Sequence, residues 1–347
     1  MIRFTLLQAR LQIIFALVGL ALIGVVLALT AHDIADAAKQ CADRSTCDSM
    51  GVALPEQYAQ LWGLIHGAVI TTPGLIGVFW GAPLVSREFD NSTHRLAWTQ
   101  SVTRTRWLTT KLTCLGLLAI AFTAALSWMV TTWAHQIDAV DASRYVTFDT
   151  RDIAPVAHTA FAFTAGVTIG LFTRRVVPAM VIALVIVIAC SIAGAYVVRP
   201  HLITPLELTA PVKSDAVDAL SYTDTDVQLR PFTRMPNALV ISTKFIERNG
   251  KSTSTLRFDA NTPGACAGLF PQSRKMMING DPALLDEAFA SAQSRCFAAV
   301  DADYDIRTIY QPASRYWTLQ WIESGLYIVI ALALGGISVT YLRRYSA

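Results

Sequence analysis

Long apolar stretches separated by short polar connections dominate the chain. Six of them approach the roughly 20 residues that an α-helix needs to cross a lipid bilayer. They cover residues 11–31, 58–84, 107–134, 158–172, 176–198 and 318–342. The fourth is the shortest, and Arg174-Arg175 after it allows only a tight turn before the fifth. The pattern predicts six transmembrane helices and one longer polar interval, residues 199–317, between the fifth and sixth.

Composition supports a membrane protein. Hydrophobic residues make up 53% of the 347 residues and charged residues 15%, against roughly 25% charged in soluble proteins. The net charge of +3 is too small to indicate nucleic-acid binding, and no nucleic-acid-binding motif occurs.

The placement of charge predicts the orientation. Eleven basic side chains against two acidic ones flank the spans on one side, namely Arg3, Arg10, Arg87, Arg95, Arg104, Arg106, Lys111, Arg174, Arg175, Arg343 and Arg344 against Glu88 and Asp90. The connections on the other side, residues 33–57 and 135–157, are acidic. Because basic residues stay on the cytoplasmic side, both termini are expected in the cytoplasm, which six spans permit. The expected location is the bacterial plasma membrane.

The interval 199–317 is large enough for a domain. Residues 239–245, the turn Asn249-Gly250 and residues 252–258 predict a β-hairpin. An amphipathic helix is expected from Asp281, its N-cap, to Phe297. The expected fold is therefore an all-α polytopic membrane protein with an α+β extracellular domain between helices 5 and 6.

Four cysteines fall outside the spans on the outer side. Because disulfides persist outside the cytoplasm, Cys41 is expected to pair with Cys47, and Cys266 with Cys296. Free thiols are the alternative.

The second span carries glycines on one face of a regular helix, within about an 80° arc. They are Gly63, Gly67, Gly74, Gly77 and Gly81. Small residues four apart let helices approach closely, so this face either lines a subunit interface and transport path or packs inside one subunit. Thr71-Thr72-Pro73 predicts a kink, with threonine hydroxyls available to the freed carbonyls.

Ionisable groups inside spans are functional candidates. His66 in the second span is either such a group or a hydrogen-bonded core residue, and Glu323 in the sixth is expected to be solvated or paired. No catalytic motif or metal-spaced Cys/His group occurs. The stretch from Gly250 to Thr253 lacks the first glycine of a phosphate-binding loop, because Phe245 stands there. Neither an enzyme nor a cofactor or metal site is expected in this chain.

Residues 86–111 connect the second and third spans and carry a family resemblance. The features are Arg87-Glu88, Asn91-Ser92-Thr93, Leu96-Ala97-Trp98, residues 101–104 and Lys111. The segment resembles the connection between spans two and three in permeases of ABC-2 type exporters, especially actinobacterial members. Ser92 departs from the pattern, since many members have glycine there.

The resemblance implies a permease that pairs with a second copy, as a homodimer or heterodimer, in membrane lipid. Two copies of a separate cytoplasmic ATPase would bind ATP and magnesium. Segment 84–106 would contact the ATPase through a charged face and anchor in the membrane through apolar side chains. The charged face is Arg87, Glu88, Thr93, His94 and Arg95, and the anchors are Phe89, Leu96 and Trp98.

The implied domain order is residues 1–198 with an N-terminal connecting helix in residues 1–12, then 199–317, then 318–347. The expected function is ATP-driven export of a hydrophobic or amphipathic substrate, whether drug, lipid or peptide. Glu88→Ala or Arg95→Ala is expected to abolish transport while leaving membrane insertion intact. The alternatives are a membrane sensor whose outer domain binds a ligand and, less favoured, an intramembrane enzyme.

Overall fold

The structure is a computed structural model. It describes residues 2–43, 56–91, 103–135, 144–212, 217–222, 226–233, 235, 237–259, 266 and 287–345. The chain forms two compact units, Met1–Ile203 with Ser314–Ala347, and Thr204–Ala313.

The first unit is helical. Its helices are α1 (Ile2–Gln8), α2 (Arg10–Asp43), α3 (Glu56–Ile76), α4 (Ala82–Asp90), α5 (Arg104–Ala134), α6 (Ala154–Thr173), α7 (Val176–Ala193) and α9 (Tyr316–Tyr345). Helix α8 (Glu287–Asp303) belongs to the second unit. Two π turns interrupt these helices. Gly77–Gly81 joins α3 to α4, and Gly194–Val198 extends α7 into a last turn at Arg199–His201.

Within the residues that the structure describes, six helical stretches are long and apolar enough to cross a membrane, which confirms the predicted number. They are Arg10–Asp33, Gln60–Asp90, Arg104–Ala134, Ala154–Thr173, Val176–His201 and Ala313–Arg344. The fourth begins four residues before the predicted start. Pro155 lies in its first turn, where a missing N–H costs nothing. The fold class is confirmed as mostly helical, with a small sheet region between the fifth and sixth spans.

Helix α6 is the centre of the bundle. It packs against α3, α4, α5, α7 and α9, and nearly all of its side chains are buried. Helix α2 is the opposite case, because most of its apolar side chains are exposed, including Phe15 at 73%. A hydrophobic surface of this kind is stable only against lipid or another apolar partner.

The turn from α6 to α7 is as tight as its sequence predicts. Arg174 adopts the left-handed conformation with φ of 56°, and its N–H donates to the carbonyl of Gly170 at 3.1 Å. In α3, Thr71 and Thr72 donate to the carbonyls of Gly67 and Ala68, each at 2.8 Å. The carbonyl that Pro73 frees is four residues back, at Val69, so the hydroxyls bond its neighbours instead.

Among its described residues, the second unit holds seven antiparallel strands in two sheets. The strands are β1 (Leu206–Pro211), β2 (Val217–Tyr222), β3 (Asp226–Pro231), β4 (Leu239–Glu247), β5 (Ser252–Thr253), β6 (Leu256–Asp259) and β7 (Tyr304–Gln311). One sheet has the order β1-β7-β4-β5 and the other β2-β3-β6. The predicted hairpin is present between β4 and β5 around Gly250, whose φ is +89°. Its second half divides, because β6 pairs with β3.

The predicted helix of the second unit is present as α8, described from Glu287 onward; Asp281 lies outside the described residues. A disulfide joins Cys266 to Cys296 on α8, as expected. Both cysteines are buried in a core with Phe245, Phe297 and Ile306. The Cys41–Cys47 pairing is not described, because Cys47 and the side chain of Cys41 lie outside the described residues.

Candidate functional site

Two polar sites lie at opposite ends of the first unit. The termini end carries α1, the end of α4, the start of α5 and the end of α9. The opposite end carries residues 144–153, the start of α6, the turn at Arg199 and the start of α9.

A buried ion pair joins α4 to α5 at the termini end. The Nζ of Lys111 donates to a carboxylate oxygen of Glu88, and their side chains are only 3% and 12% exposed. The ammonium also lies 4.8 Å from the centre of the Trp107 ring. Since a buried charge is tolerated only when it is paired, these two residues hold the two helix ends together on either side of residues 92–102.

Helix α1 and the start of α2 lie at the same end, where α1 packs against α5. On α2, the Nε2 of Gln12 donates to the carbonyl of Phe79 in the first π turn at 2.8 Å. Ala9 and Leu342 are buried in a cluster that also contains Trp107 of α5. A cavity of about 330 Å³ separates α1 from α4, and its polar lining includes Glu88 and Lys111. The start of α2 therefore contacts the span that leads into the predicted coupling segment, and α1 contacts the helix that follows this segment.

Only three of the predicted coupling residues are described. Arg87 is exposed, Glu88 is paired, and Phe89 is half-buried with the Arg174 guanidinium 5.7 Å from its ring centre. Thr93, His94, Arg95, Leu96 and Trp98 lie outside the described residues.

The glycine face predicted for the second span divides into two parts. A Cβ added to Gly77 would lie 2.7 Å from the carbonyl oxygen of Ala162 on α6, and Gly81 meets the Phe163 carbonyl as closely. Gly63 and Gly67 instead face open space, and Gly74 only reaches Val187, at 4.0 Å. The π turn between Gly77 and Gly81 adds a residue to the helical repeat, so positions beyond it leave the arc of a regular helix.

Gly77 and Gly81 thus serve close packing within one subunit. Two glycines of α6 face the same stretch of backbone from the other side. A Cβ at Gly166 or Gly170 would overlap the carbonyls of Gly77 and Ala82. The backbones of α4 and α6 touch directly, so movement of α4 is resisted by α6 without flexible side chains between them.

His66 is half-buried at the opposite end. Its Nδ1 lies 3.1 Å from the hydroxyl of Thr150, and its ring is 5.7 Å from that of Trp62. The hydrogen bond favours the interpretation of His66 as a bonded core residue over that of a free proton carrier.

Residues 144–153 fold onto the bundle rather than forming a solvated loop. Phe148 and Arg151 are almost fully buried. Gln320 of α9 donates to the carbonyl of Phe148 and accepts from the N–H of Ala154, both at 3.0 Å. Burial raises the pKa of the Tyr145 phenol to about 12, so this side chain stays neutral.

An ionic cluster lies at the centre of this end. Arg199 donates from Nε to Glu323 at 2.7 Å and from Nη1 to Asp149 at 3.1 Å. Its guanidinium also lies 3.9 Å from the centre of the Phe148 ring. His158 Nε2 is 3.7 Å from Glu323. One arginine thereby joins α9, the end of the α7 span and residues 144–153.

The second π turn determines where Arg199 lies. Gly194 packs against the hydroxyl of Tyr327, leaving no room for a Cβ, and that hydroxyl donates to the carbonyl of Cys190 at 3.0 Å. Bulges of this type re-aim the residues that follow them. Arg199 consequently points into the bundle and not away from it.

The ligand atoms of Asp149, His158 and Glu323 all lie within 4.8 Å of one another, so this trio could hold a divalent cation. The guanidinium of Arg199 already bonds both carboxylates. It therefore supplies the positive charge that a metal would bring.

This cluster is not predicted from the sequence, because residues 199–317 form the polar interval and Arg199 is its first residue. Glu323 was expected to be solvated or paired, and it is paired, with 1% exposure. A signal was available, since a basic residue ends one apolar span and a carboxylate stands near the start of the next.

Comparison with known families gives one match. The family described as ABC-2 membrane transporter related covers residues 14–199. No curated protein and no solved structure matches the chain. The matched residues include the first five spans and both ends of the segment between α4 and α5. The chain belongs to the ABC-2 membrane transporter related family.

Proposed function

We propose that this chain is the permease subunit of an ATP-driven exporter, with both termini in the cytoplasm of a bacterial cell. A separate ATPase, in two copies, binds ATP and magnesium and acts on the connection between α4 and α5. A second permease copy completes the transport path. The family supports the transmembrane role, while direction, substrate and coupling are our proposals.

The buried pair of Glu88 and Lys111 carries this proposal. It joins the end of α4 to the start of α5, the two helix ends that flank residues 92–102. A force applied to residues 92–102 therefore reaches α4 and α5 together. Orientation explains an excess of arginine on this side, but it does not explain a buried carboxylate–ammonium pair.

Helices α4 and α6 connect this ion pair to the opposite end of the first unit. Helix α4 packs against α6 through Gly166 and Gly170, and α6 carries His158 at its other end, beside Glu323. Tilting α4 would displace α6 and strain the ionic cluster. We propose that the cluster closes the exit and that ATP hydrolysis opens it.

Substrate class follows from the polarity of the described helices. Their lipid-facing and cleft-lining side chains are almost all apolar, which suits hydrophobic or amphipathic molecules such as drugs, lipids or peptides.

The test is capture of the partner from solubilised membranes of the organism that encodes the chain. We expect mass spectrometry of the tagged permease to identify an ABC ATPase. Arg87→Glu or Arg95→Ala should lower the amount of this ATPase recovered at least several-fold, because both charges lie in the predicted contact segment. Arg175→Gln is the matched control, since Arg175 is also exposed at the termini end.

Equal recovery with Arg87→Glu and with Arg95→Ala would remove the coupling proposal. Recovery of a kinase in place of an ATPase would support the sensor alternative.

A further inference from the structure

A long apolar cleft lies between α5, α6 and α9. Its volume is about 670 Å³. Phe163 and Ala160 of α6 lie in its lining, and α5 and α9 contribute its two walls. Leu117 and Leu332 on the walls are 65% and 71% exposed. The cleft therefore opens on the surface that faces hydrocarbon in a membrane.

The length of the cleft matches one leaflet. Its wall on α5 runs from Thr109 to Ile120, and its wall on α9 from Ile328 to Thr340. At 1.5 Å per residue each wall is about 16–18 Å long, which is close to half of the ~30 Å hydrocarbon core. Thr109 on α5 and Thr340 on α9 mark the limits of the two walls at the termini end.

Two adjacent glycines leave part of the α9 wall without side chains that project into the cleft. Neither Gly335 nor Gly336 has a neighbour within 4 Å of the position that a Cβ would take. The space beside them is open in this subunit, whereas the space beside Gly77 and Gly81 is filled by the backbone of α6.

Positive charge stands at the termini end of both walls. Residues three or four apart share a helix face, so the α9 stripe ending at Thr340 continues to Arg343 and Arg344. The α5 stripe starting at Thr109 is preceded on the same face by Arg106. All three arginines are exposed. Within the part of the chain that the structure describes, no ion pair engages their guanidinium groups.

We propose that this cleft binds one acyl chain of an anionic phospholipid from the leaflet beside the chain termini, with the lipid phosphate on Arg343, Arg344 and Arg106. An apolar channel one leaflet long with arginines only at its headgroup end has the polarity of such a lipid. Arginine is well suited to phosphate because its planar fork bonds two oxygens at once. In the proposed orientation this is the cytoplasmic leaflet, which carries the anionic lipids. The inference rests on placement in the membrane and does not require export.

The experiment uses the purified full-length chain in dodecyl maltoside with palmitoyl-oleoyl phosphatidylglycerol or phosphatidylcholine. Native mass spectrometry counts bound lipid as lipid concentration rises. Phosphatidylglycerol should bind more tightly than phosphatidylcholine, and the double variant Arg343→Gln/Arg344→Gln should weaken its binding by about fivefold for each arginine removed. Arg175→Gln, an exposed arginine at the same end, should leave binding unchanged.

A second pair of variants tests the cleft itself. Gly336→Leu fills the channel and should lower the binding of both lipids. Gly325→Leu is its matched control, because Gly325 is also on α9 and has open space at its Cβ position but lies outside the cleft. Both controls, Arg175→Gln and Gly325→Leu, should still bind phosphatidylglycerol more tightly than phosphatidylcholine.

Equal binding of both lipids, or unchanged binding in the double arginine variant, would overturn the headgroup assignment. Lipid binding that survives Gly336→Leu would overturn the cleft. Dissociation of a dimer by Gly336→Leu without loss of lipid would instead make this face an interface between copies. None of these outcomes depends on the ATPase, so failure here is separable from failure of the proposed function.

Discussion

Arg199 holds Glu323 through a two-pronged contact, with Nε 2.7 Å from Oε2 and Nη2 2.9 Å from Oε1. Planar pairs of this kind are stronger and more directional than single charged hydrogen bonds. The two residues stand 124 positions apart in sequence, at the end of one span and near the start of another. Their contact joins the end of the α7 span to the start of α9 within the first unit, and Asp149 adds the segment between α5 and α6.

Arg199→Ala is expected to destabilise the protein strongly, because the buried carboxylate of Glu323 would lose its arginine partner. Breaking a buried pair costs about 3–5 kcal/mol. The melting temperature in detergent should fall clearly, and Arg199→Lys should show a smaller loss because it keeps the charge but not the fork. Arg175→Gln is the exposed control. An unchanged melting temperature for Arg199→Ala would contradict a structural role for the cluster.

Removal of the guanidinium should also create a metal site. In Arg199→Ala, Asp149, His158 and Glu323 present ligand atoms within 4.8 Å of one another, a donor set that suits zinc. Adding micromolar zinc should raise the melting temperature of Arg199→Ala and leave the wild type unchanged. A variant that also carries His158→Ala should lose this response. Zinc stabilisation of the wild type would show that arginine does not act as the resident cation.

The pair of Glu88 and Lys111 predicts a result that differs from the sequence-based expectation for Glu88→Ala. Because Lys111 is only 3% exposed, Glu88→Ala leaves a buried ammonium unpaired. We expect lower protein yield and a lower melting temperature in addition to lost transport. Arg95→Ala remains the variant expected to lose transport with normal insertion.

The charge exchange Glu88→Lys/Lys111→Glu tests this pair directly. It should recover part of the melting temperature that either single change loses, since the two charges interact with each other. Asp90→Ala is the matched control, because Asp90 is an exposed carboxylate on the same helix. Additive losses in the exchanged variant would argue against the pair.

The close glycine contacts of α6 predict that adding a methyl group there lowers the stability of the protein. Gly166→Ala places a methyl group against the backbone of Gly77, and such overpacking typically costs about 1–3 kcal/mol. Gly63→Ala fills open space and should be neutral or slightly stabilising, since alanine favours a helix over glycine. Thermal unfolding of both variants distinguishes the two halves of the predicted glycine face. Equal tolerance at both positions would contradict direct backbone contact.

The disulfide of the second unit should resist alkylation until the protein is reduced. Cys266 and Cys296 close a loop with a sequence separation of 30, and a loop of this size is worth about 3–4 kcal/mol to stability. Mass spectrometry after alkylation with and without reductant should show that these two cysteines are alkylated only after reduction. The same spectra test the predicted Cys41–Cys47 pair, while Cys114 and Cys190 are free and should not depend on reductant.

The sequence alone determined the number of spans and the location of the inserted sheet region. An apolar run of about 20 residues has few stable structures besides a membrane helix, since backbone groups in lipid must bond internally. The Cys266–Cys296 pair was also predictable, because both cysteines lie in the same outer interval, where disulfides persist. The hairpin at Asn249-Gly250 was predictable because turn chemistry acts locally. The family followed from a short motif between two spans.

Only the tertiary structure decided which polar groups meet. Arg199 and Glu323 lie far apart in the chain, and no local pattern encodes their contact. The two π turns shift the helical repeat by a residue, which moves the residues after Gly81 off the arc of a regular helix and turns Arg199 inward. A helical-wheel prediction assumes a constant number of residues per turn, so it does not account for such a shift. The sites of this protein thus depend on irregular turns whose position is set by close packing between helices.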